Sequence, residues 1–144
     1  MTFAEFLFVA IDKLFDGGQN KKRMLKFKGI DFNEEKDIPY GESESEKLDT
    51  YHVTRPEGEK YPVMFLIHGG GFVAGDKYRR RGLARWIAEK GFFVVNVNYA
   101  LAPQYKFPLG LQQLVKALNW VGENAEKYNL DLDNICVSGD SAGG

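Results

Sequence analysis

Three short apolar runs without polar alternation, at residues 63–67, 92–97 and 135–137, are the feature that most constrains how this chain can fold. Strands of this kind carry apolar side chains on both faces and must be covered on both, as the central strands of parallel sheets are. The segments between the runs carry apolar residues at helical spacing. We therefore expect an α/β fold, with a mostly parallel sheet and helices on both of its faces.

Two predicted helices separate the apolar runs. The first carries Leu83, Trp86, Ile87 and Lys90 at helical spacing, and Gly91 ends it. The second has a longer apolar face, and we expect this face to pack on the sheet. Its residues are Leu111, Leu114, Val115, Leu118 and Val121.

Upstream of the first run, residues 48–53 form a short β-prone segment, and residues 55–58 supply turn chemistry. This order predicts a β-hairpin whose second arm is the run at 63–67. A short edge strand is expected near residues 36–40, within a polar and charged stretch. No repeat or linker interrupts residues 47–144, so we expect one domain.

The first residues predict an amphipathic helix that ends at Gly17 and Gly18. We leave open whether this helix packs on its own domain or acts at a membrane surface or substrate entrance. The domain is thus divided into a helix and loops at 1–35 and the first half of the sheet at 36–144. The helix face comprises Phe3, Phe6, Leu7, Ala10, Ile11, Leu14 and Phe15.

The charges nearly cancel, with 19 Lys and Arg against 20 Asp and Glu, which argues against a non-specific electrostatic hold on nucleic acid or an anionic membrane. Cys136 is the only cysteine, so an intrachain disulfide is excluded, and we expect this residue in the core. The start lacks a basic leader and an apolar run that could span a bilayer. We expect a cytoplasmic protein with a small-molecule partner and no stable membrane insertion; a homo-oligomer is compatible with the sequence.

The pentapeptide GDSAG at residues 139–143 fits the G-x-S-x-G pattern directly after the third apolar run. In that setting a sharp strand-to-helix turn raises the serine hydroxyl above the sheet, which predicts Ser141 as a nucleophile. Gly139 and Gly143 are needed because the tight turn brings neighbouring backbone close. Alone, the pentapeptide is equally compatible with a structural turn.

The sequence HGGGF at residues 68–72 follows the first apolar run. Consecutive glycines free the backbone to direct its N–H groups inward, where they can stabilise the oxyanion formed when a serine attacks an ester. The alternatives are a flexible turn or a phosphate-binding loop, but the sequence lacks G-x-x-x-x-G-K-[ST], and the next strand ends without the acidic residue of dinucleotide-binding folds. The two motifs, each after a predicted buried strand, together predict a catalytic site.

The segments HGGGFVAGD (68–76), NYALAP (98–103) and GDSAGG (139–144) resemble those of the hormone-sensitive-lipase-type esterases, which have the α/β-hydrolase fold. The resemblance covers roughly residues 47–144 and implies a carboxylic-ester hydrolase without metal or organic cofactor. It implies that Ser141 attacks the acyl carbon, and that the N-terminal helix belongs to a cap over the acyl pocket. One departure is Ala100, where the family usually has Arg. The implied oxyanion donors are the N–H groups of Gly70, Gly71 and Ala142, with motif support from His68, Gly69, Gly139, Asp140 and Gly143.

In this fold the acid and the histidine of the triad follow the nucleophile in the chain, whereas His52 and His68 both precede Ser141. We therefore expect the N-terminal part of a longer enzyme, truncated after the nucleophile elbow. Loss of a triad member lowers kcat by roughly 10⁴ to 10⁶, so we expect these residues alone to be inactive. The leading hypothesis is an esterase that acts on small neutral acyl esters through an acyl-enzyme on Ser141. The alternatives are a small-molecule receptor on the same fold and a peptidase or amidase.

Overall fold

The computed structural model describes residue 27 and residues 29–144. The predicted N-terminal helix, and with it the predicted cap, lies outside the described residues. Five strands are described: β1 (Asn33–Pro39), β2 (Lys47–His52), β3 (Tyr61–Ile67), β4 (Phe93–Val97) and β5 (Leu130–Gly139). The helices are α1 (Lys77–Ala88), α2 (Leu109–Glu123) and the single turn α3 (Ala125–Tyr128), and a 3-10 turn covers Ser141–Gly143.

The strands form one sheet in the order β1-β2-β4-β3-β5. Strands β4, β3 and β5 run parallel, while β2 is antiparallel to β4 and β1 is antiparallel to β2. Apolar side chains of α1 pack on one face of the sheet and those of α2 pack on the other. The predicted α/β architecture, with helices on both faces of a mostly parallel sheet, is confirmed.

The predicted β2–β3 hairpin is wrong, because β4 lies between these two strands and pairs with both. All five residues of β4 are buried, so this strand needs neighbours along both of its edges. The turn between β2 and β3 does form, with the N–H of Glu59 donating to the carbonyl of Pro56 over 3.2 Å. A local turn signal fixes the reversal of the chain but not the partner of the strand that follows. The predicted edge strand is confirmed as β1, which among the described strands pairs with β2 alone.

The predicted sheet-facing side of α2 is correct at two positions, because Val121 is buried and Leu114 packs against the core, but wrong at three others. Its buried residues are Gln113, Ala117, Trp120 and Val121, whereas Leu111, Val115 and Leu118 are exposed. On α1, Ile87 is buried as predicted, but Trp86 is 51% exposed and the helix meets the sheet through Ala84, Ile87 and Ala88. Small residues such as Ala84 and Ala88 allow the helix backbone to lie close to the sheet. A prediction based on the large apolar residues does not identify these contacts.

The strand β5 is less buried than its composition predicts. Cys136 is exposed, and Val137 keeps 60% of its surface exposed, so the predicted core position of Cys136 is wrong. The physical reason is that β5 pairs only with β3 within the described residues.

None of the helices in the described part of the chain is both long enough and apolar enough to cross a bilayer.

An ion cluster around the buried side chains of Lys77 and Asp49 fixes the start of α1 to the antiparallel strands. The Nζ atom of Lys77 lies 2.6 Å from Oδ1 of Asp49 and 2.7 Å from Oδ1 of Asp37. The Tyr51 hydroxyl donates to Asp49 Oδ2 over 3.0 Å. Burial alone would lower the pKa of Lys77, but the two carboxylates outweigh burial and hold this pKa above its ordinary value. Lys77 therefore remains charged and joins α1 to β1 and β2.

Replacement of Lys77 by methionine should destabilise the fold strongly. In Lys77→Met the buried carboxylate of Asp49 loses its cationic partner, and removal of one member of a buried pair lowers the free energy of unfolding by about 3–5 kcal/mol. The matched control is Lys127→Met, because Lys127 pairs with Glu35 over 3.8 Å with both side chains at least half exposed. That change should cost about 0–1 kcal/mol. Urea unfolding of both variants tests this, and equal losses would contradict it.

Candidate functional site

The pairing of β3 with β5 brings the two predicted motifs to the same edge of the sheet. Ile67 and Gly139 are partners at the ends of these parallel strands. The chain continues from there into the glycine loop (residues 68–76) and the elbow (residues 139–144). A methyl group placed on Gly69 would lie 3.2 Å from the Cβ atom of Ser141. The glycine loop is thus packed close to Ser141, and it contacts the elbow directly through the N–H of Gly69, which donates to Oδ1 of Asp140 over 3.2 Å.

The elbow makes the sharp turn that its sequence predicts. Asp140 is extended, with φ of −113° and ψ of 140°, and Ser141 has a φ of 53° in the left-handed region. The N–H of Gly143 donates to the carbonyl of Asp140 over 2.9 Å, which closes the turn. Left-handed backbone at a residue with a side chain is strained and is concentrated at functional sites. The side chain of Ser141 is left exposed, as a nucleophile requires.

Gly139 and Gly143 of the elbow occupy positions where the neighbouring backbone leaves no room for a side chain. A methyl group on Gly139 would collide with the carbonyl oxygen of Gly143. A methyl group on Gly143 would lie 2.5 Å from the carbonyl oxygen of Ile67 and 2.8 Å from that of His68. Real Cβ atoms do not approach backbone oxygen so closely. Gly139 therefore permits the elbow to close on itself, and Gly143 permits it to pack on the end of β3.

The glycine loop folds back on itself through successive left-handed residues. Gly70, Gly71 and Phe72 have φ values of 132°, 62° and 63°. The carbonyl of Gly70 accepts the N–H groups of Val73 and Ala74 over 3.2 and 3.0 Å. Side chains disfavour such backbone, which accounts for the glycines. Within residues 29–144, no hydrogen bond is found from the N–H groups of Gly70, Gly71 and Ala142 to any acceptor.

His68 supports the loop from inside the protein. Its side chain is 1% exposed, and its ring stacks on Tyr99 with the centroids 4.5 Å apart. Its Nδ1 lies 2.8 Å from the carbonyl oxygen of Gly69, and its own carbonyl accepts the Tyr99 hydroxyl over 2.8 Å. Burial lowers the pKa of His68 below its ordinary value, so the ring is neutral near pH 7. This environment fits a structural residue.

A cavity of about 540 Å³ opens beside the elbow. Ala142 and Gly143 form part of its wall, and of the described residues that line it, Lys106 alone is charged. Leu111 of α2 does not pack on the sheet; its side chain lines this cavity instead. Tyr105 and Phe107 were not predicted as site residues, since they lie in a loop that has no motif. The larger apolar and aromatic side chains of the wall are Phe72, Tyr105, Phe107, Leu111 and Leu114.

The backbone at Ala100, the position that departs from the family pattern, is held by a neutral hydrogen bond. The backbone N–H of Ala100 donates to Oε1 of Gln113 over 2.7 Å, and the same oxygen accepts the hydroxyl of Ser45 over 3.1 Å. Gln113 is 3% exposed, so its amide is buried in α2 against this segment. A glutamine surrounded by apolar residues of a predicted helix is the sequence signal that could have identified this contact.

The steric role of Gly143 predicts the effect of one added methyl group. Gly143→Ala should lower the free energy of unfolding by about 1–3 kcal/mol, because its Cβ atom would press on the backbone oxygens of Ile67 and His68. Gly122→Ala is the control, since a Cβ atom there meets nothing within 4 Å and the residue lies inside α2. That change should stabilise by about 0.5–1 kcal/mol. Urea unfolding measures both; a Gly143→Ala protein as stable as the control would contradict the packing described.

Known proteins similar to this chain are esterases and related hydrolases. Esterase LipI of Mycobacterium tuberculosis is 40% identical over 92 residues, which are 63% of this chain and 29% of that protein. Arylacetamide deacetylase of Bos taurus is 44% identical over 86 residues, 56% of this chain and 22% of that protein.

Among solved structures, esterase B of Lactobacillus rhamnosis, inhibited by a tributyrin phosphonate, aligns with a TM-score of 0.79 and 26% identity. The alignment covers 97% of this chain and 46% of that one. A bacterial heroin esterase aligns with a TM-score of 0.74 and 31% identity, covering 94% of this chain and 42% of that one.

The chain thus spans less than half the length of these relatives. The α/β-hydrolase fold and the resemblance to esterases of the hormone-sensitive-lipase type are confirmed. The profile of the family described as BD-FAE matches residues 48–144, a range that includes both the glycine loop and the elbow. The chain belongs to the BD-FAE family.

Proposed function

We propose that this chain carries the nucleophile and the oxyanion donors of a serine carboxylic-ester hydrolase. The observation that carries the proposal is that an exposed serine on a strained turn lies beside a glycine loop in which the N–H groups of Gly70 and Gly71 have no acceptor within residues 29–144. Ser141 supplies the hydroxyl, and Gly70, Gly71 and Ala142 supply the N–H groups. Relatives that bear the names carboxylesterase and acetyl esterase support the reaction class.

The proposed reaction begins with attack of Ser141 Oγ on the acyl carbon of the ester. As the Oγ–C bond forms, the carbonyl electron pair moves to oxygen, and the three N–H groups stabilise the resulting oxyanion. Collapse of this tetrahedral species breaks the bond to the alcohol oxygen, which takes up the proton that the base removed from Ser141, and leaves an acyl-enzyme. Water then releases the carboxylic acid through a second tetrahedral species. Each well-placed N–H donor contributes about 3 kcal/mol of transition-state stabilisation.

Attack by a serine hydroxyl requires a base that takes its proton. His68 is unsuited to this role because its ring is buried, stacked on Tyr99 and bonded to the glycine loop itself. His52 is unsuited because its ring packs against Tyr61 and Phe93, 5.1 Å from each. In this fold the acid and the base follow the nucleophile. We therefore propose that the whole protein supplies both, and that the 144 residues alone are inactive.

The cavity beside the elbow supports a small and largely apolar substrate group. Phe72, Phe107 and Leu111 offer apolar surface, and the elbow residues Ala142 and Gly143 border the same space. Apolar pockets with few polar groups bind neutral acyl or alcohol groups by excluding water. The substrate class proposed is therefore a small neutral acyl ester.

A cytoplasmic location and a homo-oligomeric state stay predictions from the sequence.

Fluorophosphonate labelling tests the proposal in protein expressed from the longest reading frame that contains these residues. Wild type should label, and Ser141→Ala should not, because the probe reacts with activated serine hydroxyls. Ser138→Ala is the matched control: Ser138 is an exposed serine at the end of β5, three positions before Ser141, and its loss should leave labelling unchanged. Absence of labelling in folded wild type would contradict the proposal and favour a small-molecule receptor.

A further inference from the structure

The carboxylate of Asp140 joins three parts of the candidate site. Its Oδ1 accepts the Nε–H of Arg80 over 2.9 Å and the backbone N–H of Gly69 over 3.2 Å, and its Oδ2 accepts Nη2 of Arg80 over 2.6 Å. Arg80 lies in the first turn of α1, and Gly69 lies at the start of the glycine loop. One side chain of the elbow is therefore bonded to the loop backbone and to the helix that follows the loop.

The geometry of this contact requires a carboxylate and a guanidinium. Two parallel hydrogen bonds from a planar guanidinium fix the orientation of a carboxylate as well as its position, which an ammonium cannot do. The side chain of Arg80 is 15% exposed and that of Asp140 is 51% exposed. Burial raises the pKa of Asp140, but the hydrogen bonds and charge of Arg80 outweigh burial and hold this pKa below its ordinary value. The pair is therefore ionised at neutral pH.

The contact sits directly beside the groups proposed to stabilise the oxyanion. Asp140 precedes Ser141, and Gly69 precedes Gly70, so a hydrogen bond between Asp140 and Gly69 fixes the two segments relative to each other. Arg80 also compensates the negative charge of Asp140, which is the residue next to Ser141, and the substrate carbonyl oxygen would gain a second negative charge when Ser141 attacks it. Without that compensation, the carboxylate would repel the oxyanion.

We infer that Arg80 is a positioning residue that acts through Asp140. It holds the glycine loop at the distance from Ser141 at which the N–H groups can reach the oxyanion. It also neutralises the carboxylate beside that oxyanion. The inference rests on the proposed function and assigns a role to a residue outside both motifs.

The test compares Arg80→Met with Arg81→Met in protein from the longest reading frame that contains the chain. Arg81 is the matched control because it follows Arg80 on α1 and its guanidinium lies over the exposed ring of Tyr78, 3.9 Å away. Hydrolysis of p-nitrophenyl butyrate is measured per active site, as titrated with the fluorophosphonate. We expect Arg80→Met to lower kcat by about 10²-fold with little change in KM, since small misplacement of catalytic groups has effects of this size. Arg81→Met should keep the wild-type kcat.

A trifluoromethyl ketone supplies a readout that a purely structural role would not move. This inhibitor forms a tetrahedral oxyanion on an active serine, so its affinity should fall by a factor similar to the fall in kcat. Arg80→Lys, which keeps the charge but not the two parallel hydrogen bonds, should be intermediate. It also serves as the test variant if Arg80→Met does not fold. The double variant Arg80→Met with Asp140→Asn should recover part of the lost kcat, because it removes the uncompensated charge.

The outcomes separate the inference from the proposed function. Labelled wild type together with an unchanged kcat and inhibitor affinity in Arg80→Met would overturn the inference alone, even if the variant were less stable. Unlabelled, folded wild type would overturn the proposed function and the inference with it. A parallel loss of kcat and inhibitor affinity, confined to Arg80 variants, supports the inference.

Discussion

The parallel pairing of β3 with β5 is the constraint on which the candidate site depends. It places Ile67 beside Gly139, so that the glycine loop and the elbow leave the sheet together. Side chains could not occupy this space, since a methyl group on Gly143 would press on the backbone oxygens of Ile67 and His68. The chemistry proposed for Ser141 therefore begins with the pairing of two strands that are far apart in the sequence.

The first turn of α1 fixes the glycine loop through two ion pairs of different character. Lys77 is buried and connects the end of the loop to Asp49 on β2, while Arg80 connects the helix to Asp140 in the elbow. The Tyr99 hydroxyl adds a neutral contact at the start of the loop, through the carbonyl of His68. A backbone with several left-handed residues is strained, and these fixed neighbours keep it in one conformation. Rigid donors are effective because they need not reorganise when charge develops.

The sequence predicted the local features of the fold and most of the motif geometry. Continuous apolar runs identified β3 and β4 as buried strands, and the spacing of the glycines identified both turns, because these signals depend on neighbouring residues alone. The pairing of β2 with β4 could not be predicted, since the competing turn signal is local and the true partner is more than forty residues away. The buried face of α2 was predicted only in part, because Gln113, Ala117 and Trp120 meet the rest of the fold where the pattern placed Leu111, Val115 and Leu118. The contact of Arg80 with Asp140 could not be predicted either, because these two residues are 60 positions apart in the sequence.

We propose that Ser141 and three backbone N–H groups form one oxyanion-stabilising site. A crystal structure of the whole protein after reaction with a butyl phosphonate is the decisive experiment, because the adduct resembles the tetrahedral species. We expect phosphorus bonded to Oγ of Ser141, with the phosphoryl oxygen about 2.7–3.1 Å from the nitrogens of Gly70, Gly71 and Ala142. An adduct on another residue, or a phosphoryl oxygen beyond hydrogen-bond reach of all three nitrogens, would contradict it.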